Sequence, residues 1–224
     1  MNVAKGDFIE LNFIAKVKDT NQVFDLTKEG DAKAMGLYNP KMKYNPIVIC
    51  VGEKNVVQGL DEELVGKELG KKYFVEVNSE KAFGKKDTKL LKMVPSNVFL
   101  KNNIRPMTGL QVNLDGLVGI IRSVSGGRVV VDFNHPLAGR DLVYDLEITK
   151  KITDVHDKIH ALIKFYLPMK VEHEFKDNNL TIYTEMPQQF SLNLVQALKK
   201  AIPEIKEVLF TKKKVEEKPN PKNE

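Results

Sequence analysis

The segment from Val131 to Ile148 constrains the fold of this chain more than any other stretch. It begins with a turn that contains His135, Pro136 and Gly139. A run with large side chains at every second position follows, namely Leu142, Tyr144, Leu146 and Ile148. Alternation with a period of two is typical of a strand with one buried face. We therefore expect a loop followed by a half-buried strand.

Length and composition narrow the class of protein. A chain of 224 residues is long enough for one or two domains with sizeable cores. No apolar run reaches the roughly 18 residues that span a bilayer, and the N-terminus lacks an apolar signal core. The single cysteine, Cys50, lies in an apolar run and is expected to be an inert strand residue, so no internal disulfide forms. These features predict a soluble, cytoplasmic protein.

The basic balance of the chain does not indicate a nucleic-acid partner. The net charge is +5, but acidic and basic residues are interleaved, and 31 of the 35 basic residues are lysines. Proteins that read nucleic acids rely on arginine for bidentate contacts. A solvated surface rich in lysine and glutamate explains the charge better, and we expect neither a nucleic-acid nor a membrane partner.

Three upstream pieces combine with the segment 131–148 into a pattern. They are Val23-Phe24-Asp25, Val56-Val57-Gln58-Gly59-Leu60 and Ala82-Phe83-Gly84. Together these four pieces resemble the prolyl isomerases of the FKBP family. About 50 residues separate Gly84 from His135, which is the size of a small inserted domain. That spacing resembles the SlyD-like branch, and in particular its long-chain archaeal members, which combine isomerase and chaperone activities.

The resemblance implies an α+β fold. Its centre is the FKBP half-barrel, an antiparallel sheet wrapped on a short helix, formed by residues 1–86 and 132–153. A small β-rich domain at 87–131 interrupts it. Within that domain the runs 110–114, 117–124 and 128–133 predict strands, and Asp115-Gly116 predicts a type I′ hairpin turn.

Residues 154–212 form a third unit with the predicted order αββαβ. Ile159, Leu162, Ile163 and Tyr166 share one face of its first helix, and Ser191 is a good N-cap for a second helix that carries Leu194, Val195 and Leu198. A unit of this size needs another surface to pack against. We expect a homodimer through this unit, and the alternative is that it docks on its own isomerase domain as a monomer. The charged tail, 213–224, is expected to be disordered.

Prolyl isomerisation needs neither a nucleophile nor an acid–base pair. The barrier is amide resonance, and an apolar pocket favours the twisted bond, whose carbonyl dipole is weaker, over the planar one. The site is therefore a bowl of apolar side chains that composition alone cannot distinguish from core. The resemblance assigns the catalytic bowl to these positions: Phe13, Phe24, Asp25, Ile47, Val56, Val57, Leu60, Phe83, His135 and Tyr144.

Two positions of the bowl depart from the family pattern. Phe13 and Phe83 stand where the family usually has tyrosine, so two hydroxyls are missing. Each lost hydrogen bond costs about 0.5–1.5 kcal/mol, a few-fold in rate or binding. We expect activity to persist, and the alternative is a catalytically weak holdase chaperone on the same fold.

The inserted domain is expected to bind unfolded or proline-containing polypeptide clients. Its first strand and turn carry more apolar residues than a three-stranded meander can bury, and flexible methionines suit an adaptable surface. The predicted client-binding residues are Met93, Val94, Pro95, Val98, Phe99, Leu100, Ile104 and Met107. His156 and His160 are four residues apart on one helix, but no further ligand accompanies them, so we expect no metal and no cofactor.

Overall fold

A computed structural model describes residues 2–167, 169 and 171–212, which form twelve strands and five α-helices. The strands are β1 Phe8–Val17, β2 Val23–Leu26, β3 Ile47–Cys50, β4 Lys72–Val77, β5 Leu91–Pro95, β6 Gln111–Leu114, β7 Leu117–Ser125, β8 Arg128–Asp132, β9 Leu142–Ile152, β10 Glu172–Lys176, β11 Asn179–Tyr183 and β12 Glu207–Thr211. The helices are α1 Glu29–Ala34, α2 Gln58–Leu64, α3 Ser96–Lys101, α4 Val155–Tyr166 and α5 Gln188–Ala201. Within the described ranges, no helix has the length and apolar character needed to cross a membrane. The predicted disordered tail, 213–224, lies outside the described residues.

A five-stranded antiparallel sheet forms the largest layer. Its strand order is β2-β1-β9-β4, and β3 pairs with the other end of β1. The alternation predicted for β9 is confirmed, because the side chains at every second position are at most 5% exposed. These are Leu142, Tyr144, Leu146 and Ile148. They share the inner face of the sheet with the buried apolar residues of β1 and β4.

Helix α2 packs on this inner face through Leu60 and Leu64, which are 1% and 0% exposed. Gly59 permits the close approach, since a Cβ atom there would lie 2.6 Å from Cγ1 of Val77 on β4. The preceding loop is fixed by the buried carboxylate of Asp61, which accepts the backbone N–H groups of Gly52 and Lys54. The helix begins at Gln58, because the chain is still extended at Val57.

Between β4 and β9 the chain forms a second antiparallel sheet, which we call the four-stranded unit (residues 91–132). Its strand order is β5-β8-β7-β6. Phe99 from α3 fills its core together with Val112, Ile121, Val129 and Val131. The predicted type I′ turn is confirmed, since Asp115 and Gly116 have φ angles of 52° and 83°. The predicted meander had three strands; β5 adds a fourth by pairing with β8.

The last elements, α4 to β12, build a mixed three-stranded sheet in the order β10-β11-β12 with two helices, and we call them the C-terminal unit. Its apolar helix faces are buried between its own sheet, which contributes Leu180 and Ile182, and the five-stranded sheet of the same chain. The shared core joins Phe8, Cys50 and Ile152 of that sheet to Ile159, Leu162, Ile163, Leu194 and Leu198 of the helices. The prediction that Ser191 caps the second helix is wrong, because α5 begins three residues earlier, at Gln188.

One buried carboxylate ties the four-stranded unit to the rest of the chain. Asp132, 3% exposed, accepts hydrogen bonds from Lys86 Nζ at 3.2 Å, from Arg122 Nε at 3.0 Å and from Asn134 Nδ2 at 2.8 Å. Asn134 in turn accepts the backbone N–H of Asp87 at 2.8 Å. The outgoing and returning segments of the chain are thereby held side by side. We call this set of contacts the Asp132 junction.

Candidate functional site

A cross-strand row of the five-stranded sheet brings together two polar residues of the predicted bowl, Asp25 and Tyr144. Asp25 on β2 is paired with Ala15 on β1, Ala15 with Tyr144 on β9, and Tyr144 with Val75 on β4. Side chains of paired residues point to the same face of a sheet. Asp25 and Tyr144 therefore both project from the inner face, on either side of Ala15.

A β-bulge at Phe24 adds an aromatic ring to the same face. Asp25 opposes Ala15 and Val23 opposes Lys16, so Phe24 is an extra residue in β2 without a partner in this ladder. A bulge re-aims side chains that strict alternation would send to opposite faces. The Phe24 ring lies 6.3 Å from the Tyr144 ring and 6.5 Å from the Phe83 ring, nearly perpendicular to both. Edge-to-face contacts of this kind are favourable between aromatic rings.

Two loops close the other side of the bowl. The imidazole of His135 stacks on the ring of Phe83 at 4.3 Å with the planes 4° apart. The backbone N–H of Gly139 donates to the carbonyl oxygen of Gly84 at 2.7 Å, which fastens the turn after Phe83 to the turn after His135. Gly84 and Gly139 have φ angles of 76° and 74°, a conformation that L side chains rarely adopt. The two turns thus hold the stacked pair at the rim.

The structure brings all ten predicted bowl residues into one region. Phe13 and Leu60 belong to the buried core beneath it, and Phe13 meets the Tyr144 ring edge-on at 5.9 Å. The partly buried residues packed against this core include Phe24, Ile47, Val56, Val57 and Phe83. Leu137 packs there as well, and sequence reasoning missed it. Its position two residues after His135, in the same turn, was the available signal.

The bowl is apolar enough to shift the pKa values of Asp25 and Tyr144. Burial raises the pKa of Asp25, while the backbone N–H of Leu26 acts in the opposite direction. Burial, together with the negative charge of Asp25, raises the pKa of Tyr144 to about 12. The phenol is therefore a neutral hydrogen-bond donor at all physiological pH values.

The predicted client-binding residues divide between core and surface. Phe99 is fully buried, and Val94 and Ile104 pack partly buried against the same core. The exposed members are Met93 at 63%, Leu100 at 59%, Met107 at 57%, Val98 at 36%, and Pro95. Sequence reasoning missed Leu117 and Val118, 62% and 55% exposed beside the Asp115 turn. Their apolar character at a hairpin tip was the signal.

Other clefts and clusters of the described residues lack this convergence. A cavity of about 410 Å³ lies on the outer face of the sheet near Lys28 and Lys72, and one of about 440 Å³ lies between β3 and α4. The imidazoles of His160 and His173 lie 5.7 Å apart. Across the described part of the chain, no three histidine, cysteine, aspartate or glutamate residues are grouped so that they could hold a metal ion.

Comparisons with known proteins identify the family of the chain. Residues 1–104 match the family model of the FKBP-type peptidyl-prolyl cis-trans isomerases, and residues 92–137 match that of the FKBP26 IF domain. The short-type peptidyl-prolyl cis-trans isomerase of Methanocaldococcus jannaschii is 30% identical over 146 residues, which cover 65% of this chain and 92% of the relative. SlyD of Haemophilus influenzae is 34% identical over 107 residues, 46% of this chain and 56% of SlyD.

A third relative is the FKBP-type 16 kDa peptidyl-prolyl cis-trans isomerase of Escherichia coli. It is 31% identical over 108 residues, which cover 46% of this chain and 72% of the relative. The two family matches include bowl positions from Phe13 to Phe83 and the turn that contains His135. The chain belongs to the family of FKBP-type peptidyl-prolyl cis-trans isomerases.

Proposed function

We propose that the bowl accelerates rotation about X-Pro bonds of unfolded polypeptides while the four-stranded unit holds the polypeptide beside it. The observation that carries the proposal is the convergence of Phe13, Phe24, Phe83 and Tyr144 into one aromatic cluster, in which Tyr144 shares a sheet row with Asp25. Isomerisation must overcome amide resonance, about 18–20 kcal/mol for an ordinary peptide bond. A twisted bond has lost that resonance and carries a weaker carbonyl dipole. An apolar bowl binds it better than the planar bond, which lowers the barrier.

The bowl is tested by removing one of its walls. Phe24→Ala deletes two edge-to-face contacts and opens the bowl to water. We expect kcat/KM on a proline tetrapeptide to fall about fivefold, since an aromatic contact contributes about 1 kcal/mol. The assay is protease-coupled isomerisation. The matched control is Phe74→Ala. Phe74 lies on β4 of the same sheet, but its side chain projects to solvent and is 64% exposed. Equal losses in both variants would argue against the bowl.

The holdase alternative rested on the hydroxyls that Phe13 and Phe83 lack. Catalysis by differential binding requires apolar walls rather than those hydroxyls, and the predicted bowl residues other than Asp25 and His135 all pack in or against the same core. Catalytic isomerisation is therefore the function that we propose, with client holding added to it.

The client-holding role rests on exposed apolar side chains of the four-stranded unit. Five core residues, Phe99 among them, complete its interior, which leaves Met93, Leu100, Met107 and Leu117 more than half exposed. Monomeric proteins rarely leave so many large apolar side chains in one small unit in contact with water. Two of them are methionines, whose flexible side chains adapt to varied partners. Unfolded chains offer apolar segments of varied sequence, which such a surface suits.

We also propose that the chain forms a homodimer through the C-terminal unit. Docking on the five-stranded sheet buries the inner faces of α4 and α5 but leaves large apolar residues in water. Phe190 is 68% exposed, Leu192 is 55% and Phe165 is 47%. A second copy is the commonest partner for such a surface. Two bowls around one client would raise the effective concentration for rebinding.

The dimer is tested by light scattering on the full chain at tens of micromolar. We expect a dimeric mass for wild type and a monomeric mass for the double variant Phe190→Glu, Leu192→Glu. The control is Leu209→Glu, which places a charge on the solvent face of β12, where Leu209 is 54% exposed. A shortened chain is a poor test, because it would uncover Phe8, Cys50 and Ile152. A monomeric wild type would contradict the proposal.

A further inference from the structure

The phenol of Tyr144 is a polar group without a partner inside the bowl. Tyr144 is 5% exposed, and edge contacts with Phe13 and Phe24 fix its ring. A buried tyrosine usually finds a hydrogen-bond partner for its hydroxyl. Among the residues that the structure describes, none hydrogen-bonds to the Tyr144 hydroxyl, and its oxygen is not one of the fully enclosed unpaired atoms. The hydroxyl therefore keeps its contact with solvent and is free to donate.

No other bowl residue provides a side-chain donor at this depth. Phe13, Phe24 and Phe83 have none, and an ionised Asp25 only accepts. His135 uses Nδ1 to accept the backbone N–H of Leu137 at 3.2 Å, and its exposed ring lies flat on Phe83 at the rim. The Tyr144 hydroxyl is thus the side-chain donor in the buried part of the bowl, in the same sheet row as the more exposed Asp25 carboxylate.

The chemistry of the substrate requires a donor and not an acceptor. Proline has no backbone N–H, so the X-Pro linkage offers a carbonyl oxygen as its one polar group. We propose that Tyr144 is the residue that orients the substrate by donating a hydrogen bond to this carbonyl oxygen. The inference rests on the proposed function of the bowl and adds the group that selects the position of the bond within it.

A donor of this kind acts mainly on binding. The planar bond carries the stronger carbonyl dipole, so a hydrogen bond to its oxygen stabilises the bound ground state at least as much as the twisted state. Such an interaction lowers KM and does not raise kcat. Tyr144→Phe keeps the ring and its contacts with Phe13 and Phe24 and removes the oxygen alone. We expect KM on a proline tetrapeptide to rise about fivefold, while kcat stays the same or rises slightly.

A thioamide peptide makes the test specific to the carbonyl oxygen. Sulfur in place of the X-Pro oxygen accepts hydrogen bonds poorly, so wild type should bind the thioxo peptide about fivefold more weakly than the oxo peptide. Tyr144→Phe should bind both peptides equally, because the donor is already gone. Affinities come from NMR titration of the full chain with each peptide. The control is Tyr183→Phe, which removes a hydroxyl bonded to Glu174 in the C-terminal unit.

The outcomes separate this inference from the proposed function. An unchanged KM in Tyr144→Phe, or an oxygen-to-sulfur effect of equal size in wild type and variant, overturns the role of Tyr144 while the active bowl stands. A wild type that turns over neither peptide and shows no shifts at Phe13, Phe24 or Phe83 overturns the bowl itself. A retained oxygen-to-sulfur effect in Tyr183→Phe together with its loss in Tyr144→Phe supports the inference.

Discussion

Replacing residues 88–132 with a short glycine–serine loop is expected to leave turnover of a proline tetrapeptide nearly intact. Refolding of a protein whose folding is limited by an X-Pro bond should slow tenfold or more. A tetrapeptide fills the bowl and needs no second surface, whereas an unfolded protein dissociates unless Met93, Leu100, Met107 and Leu117 hold it. The two activities are measured on the same preparation by protease-coupled and fluorescence refolding assays.

The structure shows where such a replacement can be made. The N–H of Asp87 donates to Oδ1 of Asn134 at 2.8 Å, and Nδ2 of Asn134 donates to the carbonyl oxygen of Asp87 at 3.0 Å. The two ends are therefore adjacent, and a short loop joins them without strain. A milder variant, Met93→Ser with Leu100→Ser, keeps the unit and should reproduce part of the refolding defect. Equal losses on tetrapeptide and protein would mean that the segment serves only the fold.

The second large effect is expected on stability, when the Asp132 junction is removed. Burial alone would raise the pKa of this carboxyl, but hydrogen bonds from Asn134, Lys86 and Arg122 outweigh burial and lower the pKa to about 2. A depressed folded-state pKa adds stability above the unfolded value of 3.8, which is lost as the pH falls through the folded value. The contribution is about 2 kcal/mol at pH 7 and falls to about half of that near pH 3.

Asp132→Asn is the direct test of the junction. We expect hydrogen exchange at the amides of β7 and β8 to accelerate about thirtyfold at pH 7, which corresponds to about 2 kcal/mol. The gap between variant and wild type should narrow toward pH 3, because wild type loses the same contribution there. The control is Asp19→Asn, whose ion pair with Arg140 lies on the surface and contributes at most about 1 kcal/mol. A variant with wild-type exchange would show that the junction does not stabilise the unit.

Sequence patterns predicted the parts of the fold that local chemistry decides. The alternation of β9 and the Asp115-Gly116 turn follow from period and φ preference, and both predictions are confirmed. The sequence predicted three strands for the four-stranded unit and did not predict the pairing of its first strand, β5. The pairing of β5 with β8 depends on a contact between distant segments. Such a pairing has no local signature.

The site residues likewise divide into those that the sequence could indicate and those that it could not. Its residues were identified through a resemblance, since an apolar bowl and a core have the same composition. The bulge that turns Phe24 inward could not be predicted, because alternation alone would place Phe24 and Asp25 on opposite faces.

The sequences of β1 and β3 indicate the surface on which the C-terminal unit docks. The apolar residues Ile47 to Cys50 run without a polar interruption, which is typical of a strand buried on both faces. Phe8 followed directly by Ile9 is a similar pair, and the structure buries each in a different core. The sequences of these two strands therefore already favoured docking over dimerisation as the way in which the inner helix faces are buried.

The pairing of β1 with β9 sets the order in which a growing chain can acquire structure. Strand β1 ends at residue 17, but its longest partner ends at residue 152, so the central ladder waits until that point has left the ribosome. The four-stranded unit is complete by residue 132 and contains its own core. Segments close in sequence find each other sooner than distant ones, and chains fold as they emerge. During synthesis the surface proposed to hold clients is therefore ready before the bowl, and its first polypeptide neighbour is the unfinished remainder of its own chain.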